Sequence, residues 1–261
     1  MERTRFDIGL LFATRIVRLF AYGCVSVVLV LYLTAAGLGT PQVGLLLTLT
    51  LAGDAVISLW LTTTADRLGR RRTLLIGAVL MLGAGAAFVA TQNPLLLTLA
   101  AIVGVISPSG NEIGPFLSIE QAALSQLVPD ARRTQLFAWY NLAGSFATAT
   151  GALCAGMLAQ ALQNSGWSAL DSYRAILGGY ALIGILLLAA FWGLSPAVEP
   201  PRRETEQPPK LFLGLHKSRS IVFKLSALFA LDAFAGGFVV QSILAYWFHI
   251  KFGVEPGVLG A

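Results

Sequence analysis

The sequence predicts an all-α protein that spans a membrane, and three observations predict it. Of the 261 residues, 56% are hydrophobic and 12% are charged, against about a quarter charged in an ordinary soluble domain. Charge this sparse cannot cover a soluble globule, and a mean hydropathy of +0.74 excludes intrinsic disorder. The charges are also clustered: no Asp, Glu, Lys or Arg occurs between Arg18 and Asp54, Arg72 and Glu112, Arg133 and Asp171, or Arg174 and Glu199. Each gap holds at least one span of ~20 apolar residues, the length that crosses a bilayer. Finally, the basic residues fall in the segments between gaps rather than on one face, so the net charge of +5 points away from nucleic acid and toward a lipid bilayer.

Seven spans follow in order: Ile8 to Ala36, Gln42 to Thr64, Thr73 to Ala90, one starting near Leu95 and disturbed from Pro108 onward, Gln135 to Leu158, Tyr173 to Leu194, and Ile221 to Ile250. Spans 1 and 2 are separated by Gly37-Leu38-Gly39-Thr40-Pro41, and spans 3 and 4 by Gln92-Asn93-Pro94, both strong turn signals. No small-residue cleavage site follows the first apolar run, so span 1 is expected to be retained. Cys24 and Cys154 lie in apolar runs without metal-type spacing and read as small packing residues.

Residues 195–219 carry five prolines among Arg202, Arg203, Glu204 and Glu206, which reads as a polar linker. The expected organisation is therefore residues 1–194 as a six-helix transmembrane bundle, 195–219 as a cytoplasmic linker, and 220–261 as the first helix and start of a second bundle. With the N-terminus in the cytoplasm, sixteen of the eighteen Lys and Arg residues fall on that side and only Arg174 and Lys251 outside. The positive-inside rule favours this orientation and span count, in an inner or plasma membrane.

An internal repeat supports the second unit. At an offset of 214 residues Phe20 meets Phe234, Gly23 meets Gly237, Tyr32 meets Tyr246 and Gly39 meets Gly253. Span 7 then reads as span 1 of a second copy, a feature of secondary transporters. Ala261 stands at the threshold of an eighth helix, so the expectation is either a fragment or a half-protein whose missing second-half helices come from another chain.

The segment between spans 2 and 3 carries the most specific motif: Gly53, eight residues, Thr62, three residues, then Asp66-Arg67-Leu68-Gly69-Arg70-Arg71. Gly69 permits a tight turn, Asp66 can face a helix N-terminus, and the arginines can pair with acids across the loop. This pattern resembles the loop signature of the major facilitator superfamily, in which a second glycine is usual where Thr62 stands. The resemblance implies two six-helix bundles, a central cavity, alternating access, a small-molecule substrate and a coupling proton or other ion. It also implies that Asp66 latches against a helix of the second bundle. Many members carry an arginine within span 4, which is absent here before Pro108, and the antiporter signature of span 5 appears only as Gly144, Gly151 and Gly156.

Charge is costly in a bilayer, so intramembrane polar residues are functional candidates. Spans 3 and 6 are nearly free of them, as the resemblance implies for peripheral helices. Asp54, midway along span 2, reads as a protonation site or as a structural partner of Arg18. Asn111 and Glu112 lie in the Gly- and Pro-rich end of span 4, which reads as a cavity-lining break or as a helix end with a turn. Glu120 and Gln121 read as parts of a solvated surface helix. Trp139, Tyr140 and Asn141 read as an interfacial belt, as do Tyr246 and Trp247, whereas Gln241 lies deeper and suits a substrate contact. The repeat places Arg18 opposite Asp232, a candidate inter-bundle bridge, with local pairing of each as the alternative.

No nucleophile–base arrangement, phosphate loop or metal cluster stands out, so neither an enzyme nor an ATP-driven pump is expected, and no cofactor. The function expected is secondary active or facilitated transport of a small solute. The alternative is a non-transporting half-unit or pseudo-transporter subunit.

Overall fold

The computed structural model describes residues 2–111, 114–200, 219–236 and 240–260. Ten α-helices and no strand occur among them: α1 (Glu2–Ala35), α2 (Thr40–Leu68), α3 (Arg70–Ala90), α4 (Pro94–Val103), α5 (Phe116–Leu127), α6 (Asp130–Asn164), α7 (Ala169–Trp192), α8 (Arg219–Gly236), α9 (Gln241–Phe252) and α10 (Pro256–Leu259). Five of them, α1, α2, α3, α6 and α7, are long and apolar enough to cross a membrane.

The centre is α1, which packs along α6 and α7, while α3 packs on α7 and α2 on α4. Small residues make the central contact. A Cβ on Gly23 of α1 would lie 2.1 Å from the Thr148 carbonyl oxygen of α6, and one on Gly151 would lie 2.1 Å from the Phe20 oxygen. Backbone touches backbone, as expected where lipid offers no hydrophobic drive and van der Waals fit decides the pairing.

Helix ends run past the expected spans where the sequence is charged. The fifth span starts at Asp130 instead of Gln135, because Asp130 suits a helix N-terminus and pairs with Arg133 at 2.8 Å. The expected spans tracked lipid depth, whereas the helix continues into the polar zone.

The fourth span is discontinuous, and its break comes earlier than Pro108. Helix α4 ends at Val103, and Gly104 is extended at φ −81°, ψ 144°. Proline clashes with the carbonyl four residues before it, which for Pro108 is that of Gly104. The chain resumes as α5. At 1.5 Å per residue, ten residues of α4 and twelve of α5 give ~15 and ~18 Å, together the depth of a ~30 Å hydrocarbon layer. Helix α5 packs on α1 and α3 and is not a solvated surface helix. It buries Phe116, Ile119, Glu120, Ala123 and Leu124.

The seventh span is also divided. A single helix from Ile221 to Ile250 was expected, but α8 ends at Gly236 and α9 starts at Gln241 after an extended Val240 (φ −88°, ψ 127°). Residues 237–239 lie outside the described residues. Helix α9 lies against α1, and α10 against α6. The expected linker begins as an ordered Pro196–Val198 3-10 turn, and its residues 201–218 lie outside the described residues. Cys24 is buried and donates to the Gly151 oxygen at 3.2 Å, whereas Cys154 is exposed rather than packed inside.

Candidate functional site

The two breaks meet. Ser242, in the first turn of α9, donates its backbone N–H to the Pro108 carbonyl at 3.3 Å. Its hydroxyl bonds the same oxygen and the Ser26 carbonyl of α1, the latter at 2.8 Å. The Tyr180 hydroxyl of α7 donates to the Val105 carbonyl, and Ser107 Oγ donates to the Asn111 oxygen at 2.7 Å. Carbonyls released by the unwound segment are thus answered by hydroxyls of α7, of α9 and of the segment itself, which is how irregular backbone is tolerated at membrane depth.

Beside this junction lie two adjoining cavities. The larger, about 740 Å³, is walled by Val27, Ser109, Asn111 and the Gln241, Leu244, Ala245 and Phe248 side of α9. The second, about 410 Å³, is walled by Arg15, Asn111, Ser145, Thr148 and Gln241. Asn111 and Gln241 line both. None of the lining residues comes from α3 or α7.

Near Arg15 of the second cavity is a buried ion pair. Arg18 and Glu120 are both 0% exposed, and the Glu120 carboxylate accepts from Arg18 Nη1 at 2.8 Å and Nη2 at 2.7 Å. Thr14 Oγ1 donates to it at 3.2 Å, and the Tyr140 hydroxyl donates as well. The Arg18 guanidinium lies 4.4 Å from the Phe116 ring centroid. Arg15, one turn before Arg18 on α1, lies 4.1 Å from the Tyr140 ring centroid and donates Nη2 to Asn141 Oδ1 at 3.2 Å. Tyr140 therefore links the cavity wall at Arg15 to the buried pair.

This corrects three expectations. Glu120 is the acid that takes up Arg18, not a solvated surface residue. Tyr140 belongs to this cluster rather than to an interfacial belt, while its neighbour Trp139 is 59% exposed. Arg18 faces Glu120 rather than Asp54 or Asp232. Asp54 is half-buried, lines neither cavity, and accepts from Ser58 Oγ at 3.2 Å. Asp232 is exposed on α8. Asn111 and Gln241 are brought together at the cavities, and Glu112 lies outside the described residues.

The motif between α2 and α3 forms a second polar cluster at one end of the helices. A Cβ on Gly53 would lie 2.4 Å from the Ile102 carbonyl oxygen, so α2 and α4 touch there. Where Thr62 replaces the usual glycine, its hydroxyl meets Ser118 Oγ at 3.1 Å and joins α2 to α5. Gly69 alone connects α2 to α3 with φ +97°, a conformation glycine adopts without strain. Arg70 bonds Asp66 Oδ1 at 3.1 Å, Gln126 Oε1 at 2.9 Å and the Val198 carbonyl at 3.2 Å. Arg71 bonds the Trp192 carbonyl at the end of α7, and Arg67 is exposed. The unforeseen member is Glu199, which accepts the Arg70 and Arg71 N–H groups at 2.7 and 3.2 Å and caps α3. Asp66, among the described residues, pairs with Arg70.

An all-helical membrane protein with interrupted helices gathered beside two cavities has the architecture of membrane transporters. Residues 11–260 match the profile of the Major Facilitator Superfamily. The chain belongs to that superfamily. A Saccharomyces cerevisiae protein described as the uncharacterized membrane protein YJR124C is 33% identical over 97% of this chain and 63% of its own length. The chain thus spans a little under two thirds of that relative.

Proposed function

We propose that the protein carries a small solute across the membrane by alternating access, as a secondary active or facilitated transporter. The observation that carries this reading is the pair of adjoining cavities where the breaks of the fourth and seventh spans meet, with Tyr140 joining Arg15 of the smaller one to the Arg18–Glu120 pair. Discontinuous helices beside a polar cavity supply the binding groups of such transporters, and Asn111 and Gln241 are the first solute contacts on this reading. Residues 1–194 are the first six-helix bundle, 195–219 the linker and 220–261 the start of the second bundle. The N-terminus and the basic motif loop face the cytoplasm of an inner or plasma membrane, as the distribution of Lys and Arg favours. The Asp66–Arg71 loop and Glu199 hold the cytoplasmic end of the first bundle.

The test is solute flux in proteoliposomes of the full-length protein. Saturable uptake or counterflow is expected, and it should be lost in Gln241→Trp, whose ring fills the wall shared by the cavities. Unchanged flux in that variant overturns the assignment of this cavity, and absence of saturable flux for every solute class overturns transport.

A further inference from the structure

A groove of about 470 Å³ lies apart from the two cavities, between the start of α1 and the corner that joins α5 to α6, and shares no lining residue with them. It stands outside the solute path proposed above. Its charge comes from Arg5 on α1 and Arg132 in the first turn of α6, both exposed. Further along each helix the wall turns apolar. Ile8 lies three residues past Arg5, and Leu136 and Trp139 lie four and seven past Arg132, ~5, ~6 and ~10 Å farther along at 1.5 Å per residue. The walls are held in place. Asp7 accepts the Ser195 N–H at 3.1 Å and the Ser195 hydroxyl, tying the start of α1 to the end of α7. Arg133 Nε donates to the Val128 carbonyl at 3.3 Å and fixes the α5–α6 corner, while its Nη1 pairs with Asp130 at 2.8 Å. Asp7 and Asp130, the acids nearest in sequence to Arg5 and Arg132, are thus engaged elsewhere, and among the described residues no Asp or Glu lines the groove.

We propose that this groove seats an anionic glycerophospholipid, with its phosphate on Arg5 and Arg132 and one acyl chain along Ile8, Leu136 and Trp139. The order of the wall matches the order of the lipid: cations where the helices start, apolar side chains one to two turns deeper, and an exposed Trp of the kind that settles at headgroup level. A guanidinium offers a phosphate two parallel N–H donors in a fixed fork, and basic pockets between membrane helices recruit anionic headgroups in this way. A zwitterionic lipid brings a second, cationic group that finds no acid in the groove.

Trp139 is its own reporter. The full-length protein is reconstituted in phosphatidylcholine vesicles, and phosphatidylglycerol or phosphatidylcholine with brominated acyl chains is introduced at matched mole fractions. Bromine quenches an adjacent indole, and the Trp139 component is the difference between the wild type and Trp139→Phe. Brominated phosphatidylglycerol should quench that component with an apparent affinity at least about tenfold above that of brominated phosphatidylcholine, as two basic residues near the surface allow. Arg5→Gln and Arg132→Gln should each cut the preference about fivefold, and the Lys variants should retain part of it. Ile8→Phe combined with Leu136→Phe narrows the apolar part without altering charge and should abolish the preference. Equal quenching by the two lipids, or an undiminished preference in the Gln variants, overturns the assignment. A preference kept in the Phe double variant shows surface charge alone and overturns a seated lipid. Displacement by glycerol 3-phosphate at constant ionic strength, which sets screening aside, assigns the arginines to a soluble phosphate and overturns the lipid as well.

Discussion

Replacing Glu120 by Gln tests whether the buried pair holds the fourth span to the first. The carboxylate accepts both Arg18 terminal nitrogens, Thr14 Oγ1 and the Tyr140 hydroxyl, with no solvent exposure on either partner of the pair. An amide offers one oxygen and brings an NH2 group against donors. The larger effect is that the buried pair loses the Glu120 charge, a loss of about 3–5 kcal/mol where buried pairs have been broken. At roughly 2–4 °C per kcal/mol for a chain of this size, the melting temperature should fall by ~10 °C. Arg18→Met combined with Glu120→Leu removes both charges and keeps the volume, so it should recover most of that loss. The assay is thermal unfolding in detergent or nanodiscs followed by tryptophan fluorescence. A Glu120→Gln variant melting within about 2 °C of the wild type, or a double variant as unstable as the single, refutes the reasoning.

Gly53→Ala forces a Cβ to 2.4 Å from the Ile102 oxygen, so α2 and α4 must part, at a cost of about 1–3 kcal/mol readable in the same melt. Glu199→Gln removes the charged cap from the Arg70 and Arg71 N–H groups and should lower stability by about 1 kcal/mol, an effect that shrinks in high salt. Asp54 lines neither cavity, and its bond to Ser58 survives amidation, so Asp54→Asn should change stability by less than about 1 kcal/mol and retain solute flux. Loss of flux in a folded variant returns Asp54 to the transport path.

The membrane class and most of the spans were legible because charge-free runs report lipid depth directly. The break in the fourth span was legible as a Pro- and Gly-rich stretch, but its start was misplaced. A proline acts on the carbonyl four residues upstream, so Gly104 rather than Pro108 ends the helix. Glu120 was misread although its signal was present. Phe116, Ile119, Glu120, Ala123 and Leu124 follow the spacing of one helical face, which places the carboxylate within the buried stripe. Tyr140 similarly begins the stripe of Gly144, Ala147, Gly151 and Ala155 that packs α6 inward, and an aromatic at that register belongs inside. The role of Glu199 had no local signal. It follows from α7 returning beside the α2–α3 turn, which only the tertiary fold determines.

The repeat and the two breaks bear on one another. An offset of 214 pairs Ser26 of α1 with Val240, the extended residue that precedes α9. Two residues on, Ser242 donates to the carbonyl of Ser26 itself. Helices related by a two-fold axis approach most closely at equivalent positions near that axis. A contact between position 26 and the neighbourhood of its equivalent is therefore what such an axis, passing between α1 and α9, would produce. The helix ends agree: α1 leads through left-handed Gly37 to α2 with Pro41 in its first turn, and α9 through left-handed Gly253 to α10, which starts at Pro256. The correspondence is not complete, because α1 runs unbroken through Ser26 while its counterpart is interrupted there. The interruption frees the first turn of α9 to engage Pro108, and so places a polar helix start beside the unwound segment of the fourth span. If residues 220–261 start a second copy of the first bundle, that departure from symmetry puts Gln241, rather than an apolar mid-helix residue, on the wall shared by the cavities.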